Sequence, residues 1–398
     1  MRILWITLDA LLPMDTAGRM GVLKRLENIY RDHEIYLYYF YSEDKDEEKS
    51  QKLVSMCKEV KGFKREKNKV KLLINYICYP FTVSTRISNA LVADIDRCIE
   101  NNHIQVVNID FPQMGYSLLK SRKLENVKLV MNQHNVEWKR FDQISKSSSV
   151  SLFRRWISKI ESIRLRRFEE KLYRKIKFDA FTFVTLEDKM SFEQWVKPKN
   201  TILEIIPGGG EYYGGLIDRN YNTHNLIFVG VMSNELNPEG ALWFVKNILP
   251  KIELKVPDVQ FFIVGKDPVK ELRELDICNV HVTGFVDDLS QYYRTACAVV
   301  IPVLHGGGVK LKLLEAIGYG SVVISTSVGV KGTVFKHNRD ILITDDANKF
   351  ADYCIDVLTN IDKYAAMRQN AICIFKENYT WKGIGKKYSN FLSKLCNN

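Results

Sequence analysis

The sequence has no Cys-x-x-Cys pair and no group of Cys and His at metal-ligand spacing, so no cysteine-held metal site is readable in it. Its eight cysteines, Cys57, Cys78, Cys98, Cys278, Cys297, Cys354, Cys373 and Cys396, are scattered, and they read as reduced thiols in a reducing compartment. No uncharged apolar run approaches the roughly 20 residues that a bilayer-crossing helix needs. The opening MRILWITLDALLPMD is apolar but short, carries Asp9 and lacks a small-residue cleavage site. That argues against a signal peptide and for a cytoplasmic protein. Internal repeats are absent. So is a Gly-x-Ser-x-Gly turn, without which a His-Gly-Gly-Gly run cannot be the oxyanion hole of a lipase-like hydrolase.

What is present points elsewhere. A chain of 398 residues exceeds the size at which one core keeps growing, so two domains are expected. With 46% hydrophobic and 26% charged residues the composition is that of a globular protein. The net charge of +11 implies an anionic partner, which could be nucleic acid, a lipid surface or a phosphorylated substrate.

Short β-branched or aromatic runs alternate with longer amphipathic stretches, the pattern of parallel sheets covered by helices on both faces. RILWITL, EIYLYYFY, IQVVNI, KLVMNQ, AFTFVT and TILEII are the strand candidates of the first half. NLIFVGV, VQFFIVG, VHVTGF, AVVIPV, SVVIST and DILIT are those of the second. Residues 208–224, rich in Gly, Asn and Tyr, read as a linker between doubly wound domains at 1–207 and 225–379, with a last helix at about 380–398. The segment SEDKDEEKSQK is expected to be a solvated surface turn.

The most telling stretch is IPVLHGGGVKLKLLEAIGYGSVVISTSVGVKG, residues 301–332. An apolar strand, a glycine run and a helix follow one another, and ligands of open parallel sheets sit at such strand ends. Glycines let the backbone approach a ligand and turn its N–H groups inward, while the helix end adds partial positive charge. Lys310 and Lys312 oppose the helix macrodipole by about 0.3–1 kcal/mol each unless an anion occupies the loop; the alternative is that they point into water. Glu315, three residues on in an otherwise apolar helix, needs solvent or a hydrogen-bonding partner such as a ribose diol.

These residues, with the preceding VHVTGFVDDLSQYYRTACAVVIPV and with NLIFVGVMSNELNPEGALWFVKNILPKI and VQFFIVGKDP, resemble the donor-binding half of retaining glycosyltransferases of the GT-B fold, the large family-four (group 1) set. The N-terminal half is similar through MRILWITLDALLPMDTAGRMGVLKRL, MNQHNVEWKRF and FTFVTLEDK. The resemblance implies an α/β protein of two Rossmann-like doubly wound domains facing a cleft, the terminal helix crossing back to the first. It also implies a retaining, metal-independent transferase that needs no cofactor beyond a nucleotide-sugar donor and acts on a glycan, lipid-linked saccharide or protein acceptor. By it, Lys310 and Lys312 hold the diphosphate, Gly307 and Gly308 the phosphates through N–H groups, and Glu315 the ribose hydroxyls. Phe285 and Val286 fall at the nucleobase, Gly18 and Arg19 in the loop closing over the diphosphate, and His134 beside the reacting sugar. Two departures stand out. Many members carry a glutamate where this chain has Gly307, and a basic residue after the FVG strand, where this chain has VMSNELNPEG.

Positive charge fixed near the departing diphosphate lowers the barrier to breaking the anomeric C–O bond, and one such hydrogen-bond donor is worth about 3–4 kcal/mol. Asp94-Ile-Asp96 fits the letters of a metal-binding DxD motif but lies in a helical pattern and reads as a surface coincidence. Residues 153–178 form a helical pattern with ten Lys or Arg, interleaved with Trp, Phe and Ile. Such a helix can lie on an anionic membrane surface, placing the protein at the inner face, or can pack its apolar stripe on the first domain. No nucleic-acid motif accompanies the charge. Two rival readings remain: a non-catalytic GT-B partner subunit, suggested by the two departures, and a sugar-nucleotide epimerase, for which no acid-base carboxylates are identifiable.

Overall fold

Seven strands run parallel in one sheet and six in another. The computed structural model describes residues 1–14, 16–146, 151–214, 221 and 223–397. The chain divides into two units, Met1–Pro207 with Ile384–Asn398, and Gly208–Gly383.

In the first unit the strands are β1 (Arg2–Thr7), β2 (Glu34–Tyr41), β3 (Glu59–Lys64), β4 (Val106–Asp110), β5 (Lys128–Gln133), β6 (Ala180–Phe183) and β7 (Ile202–Ile205), in the order β3-β2-β1-β4-β5-β6-β7. Ile3, Leu4, Trp5 and Ile6 are all fully buried, because a parallel sheet covered on both faces buries every position of a central strand. The edge strand β3, EVKGFK, is absent from the expected strands: it pairs only with β2, is half-exposed, and carries charge where a central strand would be apolar. SEDKDEEKSQK is no turn. Asp44–Ser50 forms a helix with Asp44, Asp46 and Glu47 in its first turn, where acids favour the macrodipole.

The second unit holds β8 (Asn225–Val229), β9 (Gln260–Val264), β10 (Val280–Gly284), β11 (Ala296–Ile301), β12 (Val322–Ser325) and β13 (Leu342–Ile343), in the order β10-β9-β8-β11-β12-β13. Of the expected linker 208–224, residues 208–214 pack on this unit. Tyr213 N–H donates to the Gly318 carbonyl at 2.8 Å and its ring stacks on Tyr319 at 4.4 Å. Residues 215–220 and 222 lie outside the described residues.

The last helix, Trp381–Asn397, delivers Tyr388 into the core of the first unit. The Tyr388 hydroxyl meets the side-chain oxygens of Asn108 on β4 and Asn132 on β5, at 2.5 and 3.0 Å.

Candidate functional site

In the second sheet the chain runs outward one way from β8 and the other way from β11, so the switch point lies between these two neighbours. Gly230 follows β8, and the glycine loop 305–308 follows β11, so both leave the same strand-end edge. Gly306 (φ +108°) and Gly308 (φ +69°) hold backbone conformations that side chains rarely adopt. The loop ends at Lys310, the residue that caps the helix Leu311–Gly318. Lys310 Nζ folds back to donate to the carbonyls of Gly307, at 2.8 Å, and Gly308, at 3.1 Å. Among the described residues, the N–H groups of Gly307 and Gly308 have no acceptor.

Neither lysine points freely into water. Lys312 Nζ donates to Asn237 Oδ1 and lies 4.3 Å from the centre of the Phe228 ring on β8. Burial pushes the Lys312 ammonium down to about 7, helped by repulsion from Lys310. Burial and the charge of Lys331 bring Lys310 down to about 8. Glu315 is pushed up by burial to about 7, against the pull of Lys312. Its carboxylate has no hydrogen-bond partner among the described residues. Two half-buried cations with depressed pKa values beside one unpartnered carboxyl form a cluster that an anionic polyhydroxylated ligand would complete.

Gly230 leaves the space that Lys312 fills, since a Cβ there would meet Nζ at 2.8 Å. Gly265, at the end of β9, admits no side chain either, because a Cβ would stand 1.7 Å from the Gly230 carbonyl oxygen. Phe285 and Val286 leave the same sheet edge after β10: the Phe285 ring is 71% exposed, whereas Val286 packs against the core. They stand apart from the lysine cluster, two strands away from β8.

Asn237 and Lys331 were not singled out from the sequence. Asn237, 6% exposed on the first turn of the helix Leu236–Asn247, also donates to the Val231 carbonyl at 2.7 Å. It lies in VMSNELNPEG, the stretch that lacks a basic residue, and its signal was a polar residue opening an apolar helix directly after a strand-end glycine. Lys331 sits in VGVKG after β12, at the same strand-end edge.

In the first unit the sheet reverses between β1 and β4. There Trp5 Nε1 donates to Asp110 Oδ2 at 2.5 Å, and Asn132 Nδ2 donates to Asp110 Oδ1 at 3.0 Å. His134, just past β5, places Nε2 3.2 Å from Asp110 Oδ1 and 3.1 Å from Arg25 Nη2. Nε2 thus faces both an acceptor, the Asp110 carboxylate, and a donor, the Arg25 guanidinium, and which of them it engages sets the tautomer of the ring. Burial would raise the Asp110 carboxyl, but the hydrogen bond and charge of His134, then Arg25 and Trp5, hold it below its ordinary value.

Phe111 stacks on His134 with ring centres 4.3 Å apart, from a backbone with φ +70°. A bulky residue at such a φ costs about 1–3 kcal/mol, strain that clusters at functional sites. Gly18, in the first turn of the helix Ala17–Ile29, lies beside that ring, where a Cβ would make an ordinary contact with Phe111 at 3.5 Å. Arg19 caps the same corner, its N–H donating to Thr16 Oγ1 and its guanidinium to the Pro13 carbonyl. Asp15, the first residue of the DTAGRM loop, lies outside the described residues. Gly18 and His134 therefore share one corner, while Lys310, Lys312 and Glu315 share another in the second unit.

Asp94 and Asp96 lie in the helix Asn89–Asn102, as expected, but Asp94 is not at the surface. It is buried and pairs with Lys61 at 2.6 Å, which makes it part of the packing of β3. The basic stretch forms the helix Leu152–Lys175, with Leu165, Phe168 and Leu172 in the core and Phe153 and Trp156 exposed. No helix of the described residues is long and apolar enough to cross a membrane.

The profile of the family described as glycosyl transferases group 1 matches residues 223–360. An uncharacterized 44.6 kDa protein in the cps region of Klebsiella pneumoniae is 24% identical over 397 residues, which cover 96% of this chain and 97% of that one. Among solved structures, sucrose-phosphate synthase from Thermosynechococcus elongatus superposes with a TM-score of 0.66 at 14% identity, over 99% of this chain and 98% of the other. Anabaena Alr3699/HepE, solved in complex with UDP-glucose, gives 0.63 at 14% identity over 99% and 100%. The two parallel, helix-covered sheets are thus the GT-B fold.

Proposed function

We propose, from the match of residues 223–360 to the profile of glycosyl transferases group 1, that this protein is a retaining glycosyltransferase using a UDP-sugar. The observation that carries the reading is the cluster at the β8/β11 switch point, where Lys310 and Lys312 follow a glycine loop and Glu315 has no hydrogen-bond partner among the described residues. The diphosphate takes the two ammonium groups and the N–H groups of Gly307 and Gly308. The ribose hydroxyls donate to Glu315, and the base lies against Phe285 and Val286. UDP-glucose bound to the similar Anabaena protein supports the choice of nucleotide.

In the proposed reaction the anomeric C–O bond breaks, its electron pair staying on the diphosphate. The acceptor oxygen, of a glycan, lipid-linked saccharide or protein, bonds to the same face of the anomeric carbon. Its proton passes to the departing phosphate oxygen. Charge growing on that oxygen is met by fixed cations and N–H dipoles, and this is the basis for proposing metal independence. In the first unit His134, held by Asp110 and Phe111, is the group proposed to orient the sugar, with Gly18 and Arg19 at the same corner as that histidine.

Gly307, which stands where many members carry a glutamate, favours a second reading, a subunit that binds a donor without turning it over. The test is thermal shift with UDP, GDP and ADP sugars, followed by an assay of nucleotide release. Stabilisation by a UDP-sugar that Lys312→Ala abolishes, together with UDP release, is the expected result. Binding with no release under any acceptor would establish the second reading instead.

A further inference from the structure

The helix Lys69–Cys78 of the first unit has no buried residue. Val70, Leu73, Ile74 and Ile77 recur at the spacing of a single helix face, and each is between 58 and 72% exposed. A stripe of that kind is normally packed on a core; left bare, it marks an interaction surface. The helix is not loose. Arg164 donates to the carbonyls of Tyr76 and, at 2.8 Å, Tyr79, with its guanidinium over the Tyr76 ring at 4.4 Å. Glu161 accepts the N–H groups of Phe81 and Thr82 at 3.0 and 2.9 Å, and Asn75 Nδ2 donates to the Ser84 carbonyl at 3.3 Å. Tyr76 and Asn75 anchor the helix while the aliphatic face stays clear.

Arg164 and Glu161 belong to the helix Leu152–Lys175, whose first turns also expose Phe153 (71%) and Trp156 (64%). Two bare apolar runs are therefore carried by one joined pair of helices. Residues 67–78 and 151–160 together contain six Lys or Arg and no Asp or Glu. That charge chooses the occupant. A second copy of the chain would press cations against cations, whereas anionic phospholipid headgroups complement them, with tryptophan suited to the headgroup level.

We propose that the bare face of the helix Lys69–Cys78, with the exposed start of the helix Leu152–Lys175, docks on an anionic lipid bilayer. The aliphatic side chains enter the boundary between headgroups and acyl chains, and the flanking lysines and arginines meet the phosphates. Docking does not depend on the donor reading.

Flotation with vesicles of phosphatidylglycerol and phosphatidylcholine, against phosphatidylcholine alone and without nucleotide, tests this directly. The full chain should float with the anionic vesicles and not the neutral ones. Leu73→Ser with Ile74→Ser and Ile77→Ser should lower binding at least tenfold, and Lys69→Glu with Lys71→Glu roughly fivefold or more per cation. Melting temperature should hold in both variants, since no altered side chain is buried. No flotation of the full chain, or undiminished flotation of the triple variant, would overturn the proposal. A concentration-dependent dimer that the triple variant abolishes would overturn it too, by giving the face to a second copy.

Discussion

The Lys312 ammonium, in the first turn of the helix after the glycine loop, is held by the amide oxygen of Asn237, in the first turn of the helix after β8. The contact spans the point where strand order reverses. Because Asn237 is neutral, it places the cation without cancelling it. Asn237→Asp would convert that hold into an ion pair, at the loss of the bond to the Val231 carbonyl, and should lower UDP-sugar affinity about tenfold or more. Calorimetric titration checks the loss.

Donor affinity should peak near neutral pH. Lys312 at about 7 and Lys310 at about 8 take up protons when a diphosphate binds, so affinity falls as pH rises above these values. Glu315 at about 7 must release its proton to accept ribose hydroxyls, so affinity falls as pH drops below that value. Glu315→Gln should flatten the acid limb alone. Titration from pH 5.5 to 9.5 shows whether two limbs exist.

Removing the buried charge should stabilise the free protein. The folded pKa of Lys312 lies far below its unfolded value, so protonation opposes folding wherever pH is under about 10. Lys312→Met is expected to raise the melting temperature at pH 7 by a few degrees and to abolish the stabilisation given by a UDP-sugar. A lowered melting temperature would show that the contacts with Asn237 and Phe228 outweigh the desolvation.

Asp110→Asn should act on turnover rather than donor binding. An amide in place of the carboxylate takes away the negative charge beside Nε2 of His134 and can donate to that nitrogen, which favours the tautomer protonated on Nδ1. Turnover is expected to fall roughly tenfold to a hundredfold, with the dissociation constant for UDP-sugar unchanged. A parallel rise in that constant would contradict the orienting role assigned to His134.

Tyr388→Phe should destabilise without touching chemistry directly. It removes the one hydrogen bond that the Tyr388 O–H gives to Asn108 or Asn132, whose oxygens keep the donors Asn132 Nδ2 and Thr182 Oγ1, at a cost of about 0.5–1.5 kcal/mol. The measurement is a denaturant midpoint, expected to fall with the slope unchanged.

Parallel strands with both faces covered announce themselves as apolar runs, which is why every strand except β3 was legible. β3 was hidden because an edge strand need not be apolar. The helix Asp44–Ser50 was hidden because its charge composition is equally that of a loop. Lys310, Lys312 and Glu315 stood out as charges in an apolar context, and burial is what gives them their character. Asn237 and Asp110 were harder. A buried polar residue declares its function only through its partner, and those partners, Lys312 and His134, lie 75 and 24 residues away. The bare stripe Val70–Leu73–Ile74–Ile77 is fully visible as a pattern, but a sequence cannot say whether anything covers it.

Tyr388 also has a meaning for biosynthesis. The strands from β1 to β7 are made first, yet the side chain that closes over Asn108 and Asn132 is translated only after the whole second unit. At about 5–20 residues per second the wait is roughly ten to forty seconds. Through that interval the nascent first lobe is a vessel without its stopper, and holding chaperones have their clearest opening there.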